Sequence, residues 1–192
     1  MRQNPARRAA LLDAAIEVLA REGSRGLTFR AVDTEANVPA GTASNYFANR
    51  DELINQIGAR IYERLRPTDE QFAQARRGSP DRGKLADLMR ELVQRMADFP
   101  SGYLALIELR LEATRRPALR QVLTTMVRSD LADNVDFHRA SGNPGDATTV
   151  NLLYLALNWL ILDRLTLPGV FSGEETDALI VAAVDRLASE ID

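Results

Sequence analysis

Apolar residues recur every three or four positions along almost the whole chain, and no stretch alternates for long. That spacing is the period of a helix with one buried face, whereas a half-buried strand needs a period of two. No Asn-Gly or Asp-Gly pair offers a hairpin turn. The chain is therefore restricted to all-α architectures, in which each helix buries its apolar stripe against other helices.

The 192 residues suffice for one or two domains, and 45% apolar with 27% charged residues fits a soluble globular protein. No apolar run reaches the roughly 18 residues of a membrane span. The basic start "MRQNPARRAALLDAAIEVLA" has its apolar stretch broken by Asp13 and Glu17, which argues against a signal peptide. With no Cys there is neither a disulfide framework nor a thiolate metal site. A cytoplasmic protein is expected. The net charge of −3 is unevenly spread: residues 1–66 carry ten Arg against eight acidic residues, and the remainder carries the acidic excess. Arg2, Arg7 and Arg8 open the chain with no acid nearby. This pattern suits a chain that meets a polyanion at one end only. Lys84 is the only lysine among 24 basic residues, which together with the abundant Ala reflects base composition more than function.

Punctuation divides the chain. A first helix is predicted from Ala6 to Glu22, stopped by Gly23. Thr28 can cap a short second helix with Ala31, Val32 and Ala36 inward, and Asn37 suits a left-handed turn. Pro39 can open a third helix, since a first-turn N–H is not missed. Asn49 and Glu52 form a capping pair for a fourth, carrying Leu53, Ile57, Ile61 and Leu65 and ended by Pro67. A short helix starts at Thr68. Beyond the Gly and Pro breaks of Gly78 to Gly83, helices are marked by Leu85, Leu88, Met89, Leu92 and Met96. Leu104, Ile107 and Leu111 mark the next, and Leu119, Val122, Met126, Val127 and Leu131 the one after. Two more follow, from about Thr148 to Leu167 and from Ser172 to Ser189. The expected organisation is an N-terminal three-helix domain over 1–48, a connector helix over 49–66, and a C-terminal helical bundle over 67–192.

The third helix, "PAGTASNYF", is poor in large side chains. On a helical wheel Ala40, Ala43, Ser44 and Phe47 share one side, and Gly41, Thr42, Asn45 and Tyr46 the other. It buries little and presents small polar groups outward. With the helix from Thr28 and the turn at Asn37 it fits a helix-turn-helix, whose second helix enters the DNA major groove. Small residues allow close approach, and hydroxyl and amide groups reach phosphates or base edges. The N–H groups of Ala40 and Gly41 would favour a phosphate.

"LTFRAVDTEANVPAGTASNYFANRDEL", Leu27 to Leu53, resembles the DNA-binding motif of TetR-family transcriptional regulators. The residues in register are Leu27-Thr28, Val32, Ala36, Val38, Gly41-Thr42, Tyr46-Phe47, Arg50 and Leu53. The resemblance covers about the first 65 residues. It implies a ligand-responsive homodimeric repressor that occupies a pseudo-palindromic operator. By position, it implies phosphate binding by Thr28, Tyr46 and Arg50, a guanine contact by Arg30, and a phosphate or base contact by Thr42. There are departures. Pro39 stands where a capping Ser is common, Asn37 replaces the turn Gly, Asp33 replaces an Ala, and Ala43 and Ser44 replace a Leu and a Tyr. With Ser44 in place of a base-reading aromatic, more of the readout falls to Asn45 and Arg30.

The resemblance also implies an unknown small-molecule effector in a C-terminal apolar cavity. Met89, Met96, Phe99, Tyr103, Ile107, Met126, Phe137 and Trp159 are candidate lining, and Glu108, Arg110 and Asn158 are candidate polar anchors. The helix from Thr148 is too apolar to face solvent, so the last two helices are the expected dimer surface. An enzyme is disfavoured: His138 is the only histidine, which rules out a histidine pair, and no Gly-Lys-Ser/Thr loop exists. No cofactor or metal is expected. The alternative reading is a helical protein–protein interaction module without DNA binding, supported only by the departures at Asp33 and Ser44.

Overall fold

The computed structural model describes residues 4–188; Arg2 of the basic start and Ser189 of the last helix lie outside them. Among the described residues there are ten helices and no strand. By packing, the chain forms two compact units. One runs to Arg66 and resumes over Phe99–Met126, and the other takes Pro67–Asp98 and the described residues from Val127 on. The boundary expected near Arg66 is present, but one later segment, Phe99–Met126, returns to the first unit.

In the first unit, α1 (Pro5–Gly26) is capped by the Asn4 side chain and interrupted at Gly23, whose φ of 68° breaks the helix where a stop is expected. α2 (Phe29–Glu35), α3 (Thr42–Tyr46) and α4 (Arg50–Leu65) follow. α7 (Pro100–Ala113) and the start of α8 (Pro117–Ala140) complete the unit. Leu11, Ile16, Leu19, Leu53, Ile57, Ile61 and Leu109 are fully or almost fully buried and form its centre. Gly58 permits a close approach here: a Cβ at that position would lie 3.3 Å from Leu123 of α8. α7 is turned relative to expectation. Tyr103, Leu106 and Leu109 point inward, whereas Leu111 is half exposed.

In the second unit, α5 (Asp69–Ala75) starts at the expected Thr68, which forms a capping box with Gln71. α6 (Arg82–Ala97), α9 (Ala147–Thr166) and α10 (Gly173–Leu187) pack through Leu85, Ala86, Leu153, Val184 and Ala188. Thr149 donates to the Leu187 carbonyl at 2.9 Å and Arg82 to the Ala188 carbonyl at 3.0 Å, tying the end of α10 to the starts of α9 and α6. Phe72 of α5 meets Phe137 of α8 in a tilted ring pair, centroids 5.7 Å apart. α9 differs from expectation: only Thr149, Leu153, Leu157 and Ile161 are buried. Its opposite side exposes Leu152, Leu155 and Trp159, the last at 68%. No helix of the described residues is long and apolar enough to cross a membrane.

Candidate nucleic-acid interface

α2 begins where Thr28 accepts a hydrogen bond from the Ala31 N–H at 3.1 Å. This cap uses a lone pair and leaves the hydroxyl proton of an exposed residue available to an outside acceptor. Arg30 stands exposed one turn further on. Asn37 adopts φ 50°, the left-handed turn expected of it.

The third helix starts later than expected. Pro39 to Gly41 form a turn closed by the Thr42 N–H donating to the Pro39 carbonyl at 3.1 Å, and α3 begins at Thr42 after Gly41 at φ 88°. Ala40 and Gly41 therefore precede the helix and are not its first turn. The Gly41 N–H is also taken, donating to Asp33 Oδ2 at 2.7 Å. The Ala43 N–H donates to Asp33 Oδ1, again at 2.7 Å. Asp33 is 2% exposed, so its carboxylate is a buried cap supplied from α2. A capping carboxylate at this end also offsets the partial positive charge of the helix N-terminus. The Gly41 N–H is thus engaged within the fold instead of open to a phosphate, contrary to its expected role.

Docking of α3 rests on Ala43 and Phe47, both buried, whereas Ser44 and Ala40 are exposed and do not share that face. Ser44 and Asn45 point outward, and Thr42 and Tyr46 are half-buried. The hydroxyls of Thr42 and Ser44 donate back to the carbonyls of Pro39 and Gly41.

The far end of α3 is held by Arg8. Its Nη1 donates to the Tyr46 carbonyl at 2.8 Å, its Nε to Gln56 at 2.9 Å and its Nη2 to Glu52 at 2.9 Å. The guanidinium also lies 4.8 Å from the centre of the Phe47 ring. Glu52 accepts the Ala48 N–H at 2.7 Å with its other oxygen, and that bond with the Arg8 pair holds its carboxyl below the usual carboxylate range. Asn49 caps α4 through the Glu52 N–H, as its spacing predicts. Arg8 is thus engaged within the fold; of the opening arginines, Arg7 stands exposed.

Arg50 is likewise turned inward. It donates through Nε to the Leu27 carbonyl at 3.0 Å and through Nη2 to the carbonyl and hydroxyl of Ser24. These bonds fix the junction between α1 and α2, so Arg50 orders the site instead of offering a free guanidinium. The Ser24 end continues into Glu112 at the end of α7. Bonds from Arg115, Arg116 and Ser24 hold its carboxyl down at about 2, below the ordinary 4.5. Arg116 also pairs with Asp51 in the first turn of α4.

Of the eleven candidate effector residues, Phe99, Tyr103, Ile107, Glu108, Arg110 and Met126 belong to the first unit, and Met89, Met96, Phe137, Asn158 and Trp159 to the second. Arg110 and Trp159 are exposed, each on the side of its helix away from the core of its own unit. They therefore do not line an enclosed cavity within their units, contrary to expectation.

The sequence matches the model for tetracyclin repressor-like C-terminal domains over residues 80–190, more than half of the chain. It matches that for bacterial regulatory proteins of the tetR family over residues 11–57. The chain belongs to the TetR family. It is a DNA-binding transcriptional regulator, and the segment Leu27 to Leu53 lies wholly inside the second match. It is 33% identical over 93 residues to an HTH-type transcriptional regulator of Xanthobacter autotrophicus, covering 48% of this chain and 46% of that one. Matches to curated relatives span between 32% and 60% of the relatives' own length. Whole-chain similarity comes from solved structures. A TetR-family regulator from Rhodococcus sp. has TM-score 0.75 at 24% identity, covering 95% of this chain and 98% of that one. The multidrug binding protein EbrR, complexed with imidazole, has TM-score 0.66 at 26% identity, covering 98% of each chain.

Sequence reasoning missed the roles of Asp33 and Arg8. Asp33 stands eight and ten residues before the two N–H groups it caps, which no helix-local rule anticipates.

Proposed function

We propose that this regulator acts as a homodimer on a two-fold operator and leaves it when a small molecule binds its C-terminal half. The observation that carries the reading is the surface of α3: a helix clamped at both ends that presents the short side chains of Ser44 and Asn45 outward. Such a surface admits the floor of a major groove. Asn45 and Ser44 meet base edges, and Arg30 reaches a guanine or its phosphate. Thr28, Thr42 and Tyr46 contact the backbone, and Ala40 lies against it. Gly41 and Arg50 hold the scaffold.

Dimerisation uses the outer face of α9 with α10. Leu155 and Trp159 are 58% and 68% exposed, and Leu179 of α10 is 41% exposed. Pairing with the same face of a second copy makes a four-helix bundle and removes this apolar surface from water. The similarity to EbrR supports a small-molecule effector. By linkage, effector and operator then lower each other's affinity by the same factor.

The test is selection of bound duplexes from a library with a randomised core, followed by footprinting. The expected result is an enriched sequence with two inverted half-sites about one helical turn or more apart. Enrichment of nothing, by a protein that sizes as a monomer at micromolar concentration, overturns the reading.

A further inference from the structure

We infer that Asp33 is a positioning residue for DNA reading: its buried carboxylate sets where the recognition helix starts and which way that helix points. Three observations carry this. First, both oxygens are spent on one target, Oδ2 on the Gly41 N–H and Oδ1 on the Ala43 N–H, each at 2.7 Å. Two short bonds from a single planar group fix both the position and the rotation of the helix start. Second, the residues before α3 supply no side-chain cap: Gly41 has none to offer, and Pro39 contributes only its carbonyl. Five residues form too short a helix to hold itself together in water. Third, Asp33 is 2% exposed while Ser44 and Asn45, one and two residues beyond the second bond, are exposed. A shift at the clasp therefore moves the reading side chains directly.

The residue type is specific. Asn offers one oxygen and turns an NH₂ toward the other N–H, so one bond becomes a donor–donor conflict. Ala leaves two buried N–H groups without acceptors. A Ser at position 39 is the natural local substitute, because its hydroxyl can accept an N–H two or three residues on.

The inference rests on the DNA-reading role of α3, and its test separates the two. Amide hydrogen exchange of the wild-type chain comes first; Gly41 and Ala43 are expected to be protected, and exchange at open-loop rates overturns the clasp whether or not any variant folds. Next, the full-length wild type, Asp33→Asn, and Asp33→Asn with Pro39→Ser are compared under conditions where their helical circular dichroism agrees. The probes are the duplex enriched by the wild type and a scrambled duplex of equal length. Asp33→Asn is expected to weaken the enriched duplex about tenfold or more and the scrambled one less than about twofold. Exchange at Gly41 and Ala43 should quicken by a similar factor, and Pro39→Ser should recover much of the affinity and of the protection at Gly41, the N–H its hydroxyl can reach. An unchanged ratio of enriched to scrambled affinity in folded Asp33→Asn overturns the inference. Failure to enrich any duplex counts against the DNA reading of α3, while the exchange data still decide the clasp.

Discussion

Replacing Arg8 by Ala should destabilise the reading head by about 1–2.5 kcal/mol. Arg8 makes a part-exposed ion pair with Glu52, with side-chain exposures of 26% and 34%, which is worth about 0.5–1 kcal/mol. Its bonds to the Tyr46 carbonyl and Gln56 add about 1 kcal/mol each in a half-buried setting, and its place over Phe47 about 0.5 kcal/mol. Against this, truncation releases a long side chain from one fixed geometry and returns about 1–2 kcal/mol of entropy. The assay is urea unfolding of the full chain at fixed protomer concentration, because the stability of a dimer depends on concentration. The midpoint should fall at constant slope.

Arg8→Lys separates the contributions. An ammonium keeps the charge near Glu52 but cannot meet three acceptors in one plane, so it should recover about half of the loss. Combining Arg8→Ala with Glu52→Gln should show a coupling of about 0.5–1 kcal/mol, since the two residues touch. If Arg8→Ala costs less than about 0.3 kcal/mol, or if Lys restores stability in full, the network is not a clamp and the arithmetic above fails.

Three further outcomes are expected. Glu112 is held at about 2 against an ordinary 4.5, so on acidification the unfolded chain takes up that proton before the folded one. Its share of stability is complete above about pH 4.5 and lost as pH falls toward 2, so Glu112→Gln should cost about 1–2 kcal/mol at pH 7 and much less at pH 3; equal costs at both pH values refute this. Trp159→Glu should leave helical content intact and turn the proposed dimer into a monomer by light scattering near micromolar concentration, because it sets a charge in the apolar face of α9; an unchanged dimer moves the interface elsewhere. Arg30→Ala should lower the slope of log affinity against log salt by about 1; an unchanged slope together with relaxed sequence preference makes Arg30 a base contact alone.

What the sequence discloses about this fold is what acts over short range. Thr28, Asn49, Thr68 and Ser172 cap helices through the N–H three residues on, and each does so in the structure. Asn37 takes its left-handed turn from its own backbone preference. The inward face of α7 is not legible for a physical reason. Leu104, Ile107 and Leu111 compete with Tyr103, Leu106 and Leu109 on a helix apolar all round, and periodicity cannot rank two equally apolar faces. The same holds for α9, where burial within the chain claims Leu153, Leu157 and Ile161 and leaves Leu155 and Trp159 outside. Charged residues are misjudged where their partners are distant. Arg8 and Arg50 look like phosphate ligands in a basic segment, but their acceptors lie 38 to 48 and 23 to 26 residues away.

Asp33 and Pro39 each look like damage when read alone. A carboxylate in the interface of a DNA-reading motif repels phosphate, and a Pro before a short helix removes a side-chain cap. The geometry makes them one solution. Pro39 closes the turn with its carbonyl, leaving the Gly41 and Ala43 N–H groups in want of an acceptor, and Asp33 reaches both. Ala43, fully buried, keeps the helix start small enough to sit against that carboxylate. Because the charge is buried and offsets a helix N-terminus, it faces the protein more than the groove. The departures at Asp33, Pro39 and Ala43 thus replace a local cap with a tertiary one, and the alternative of a module that has lost DNA binding forfeits the support it drew from Asp33. What remains distinctive is Ser44, exposed and short, where the family's motif carries a Tyr.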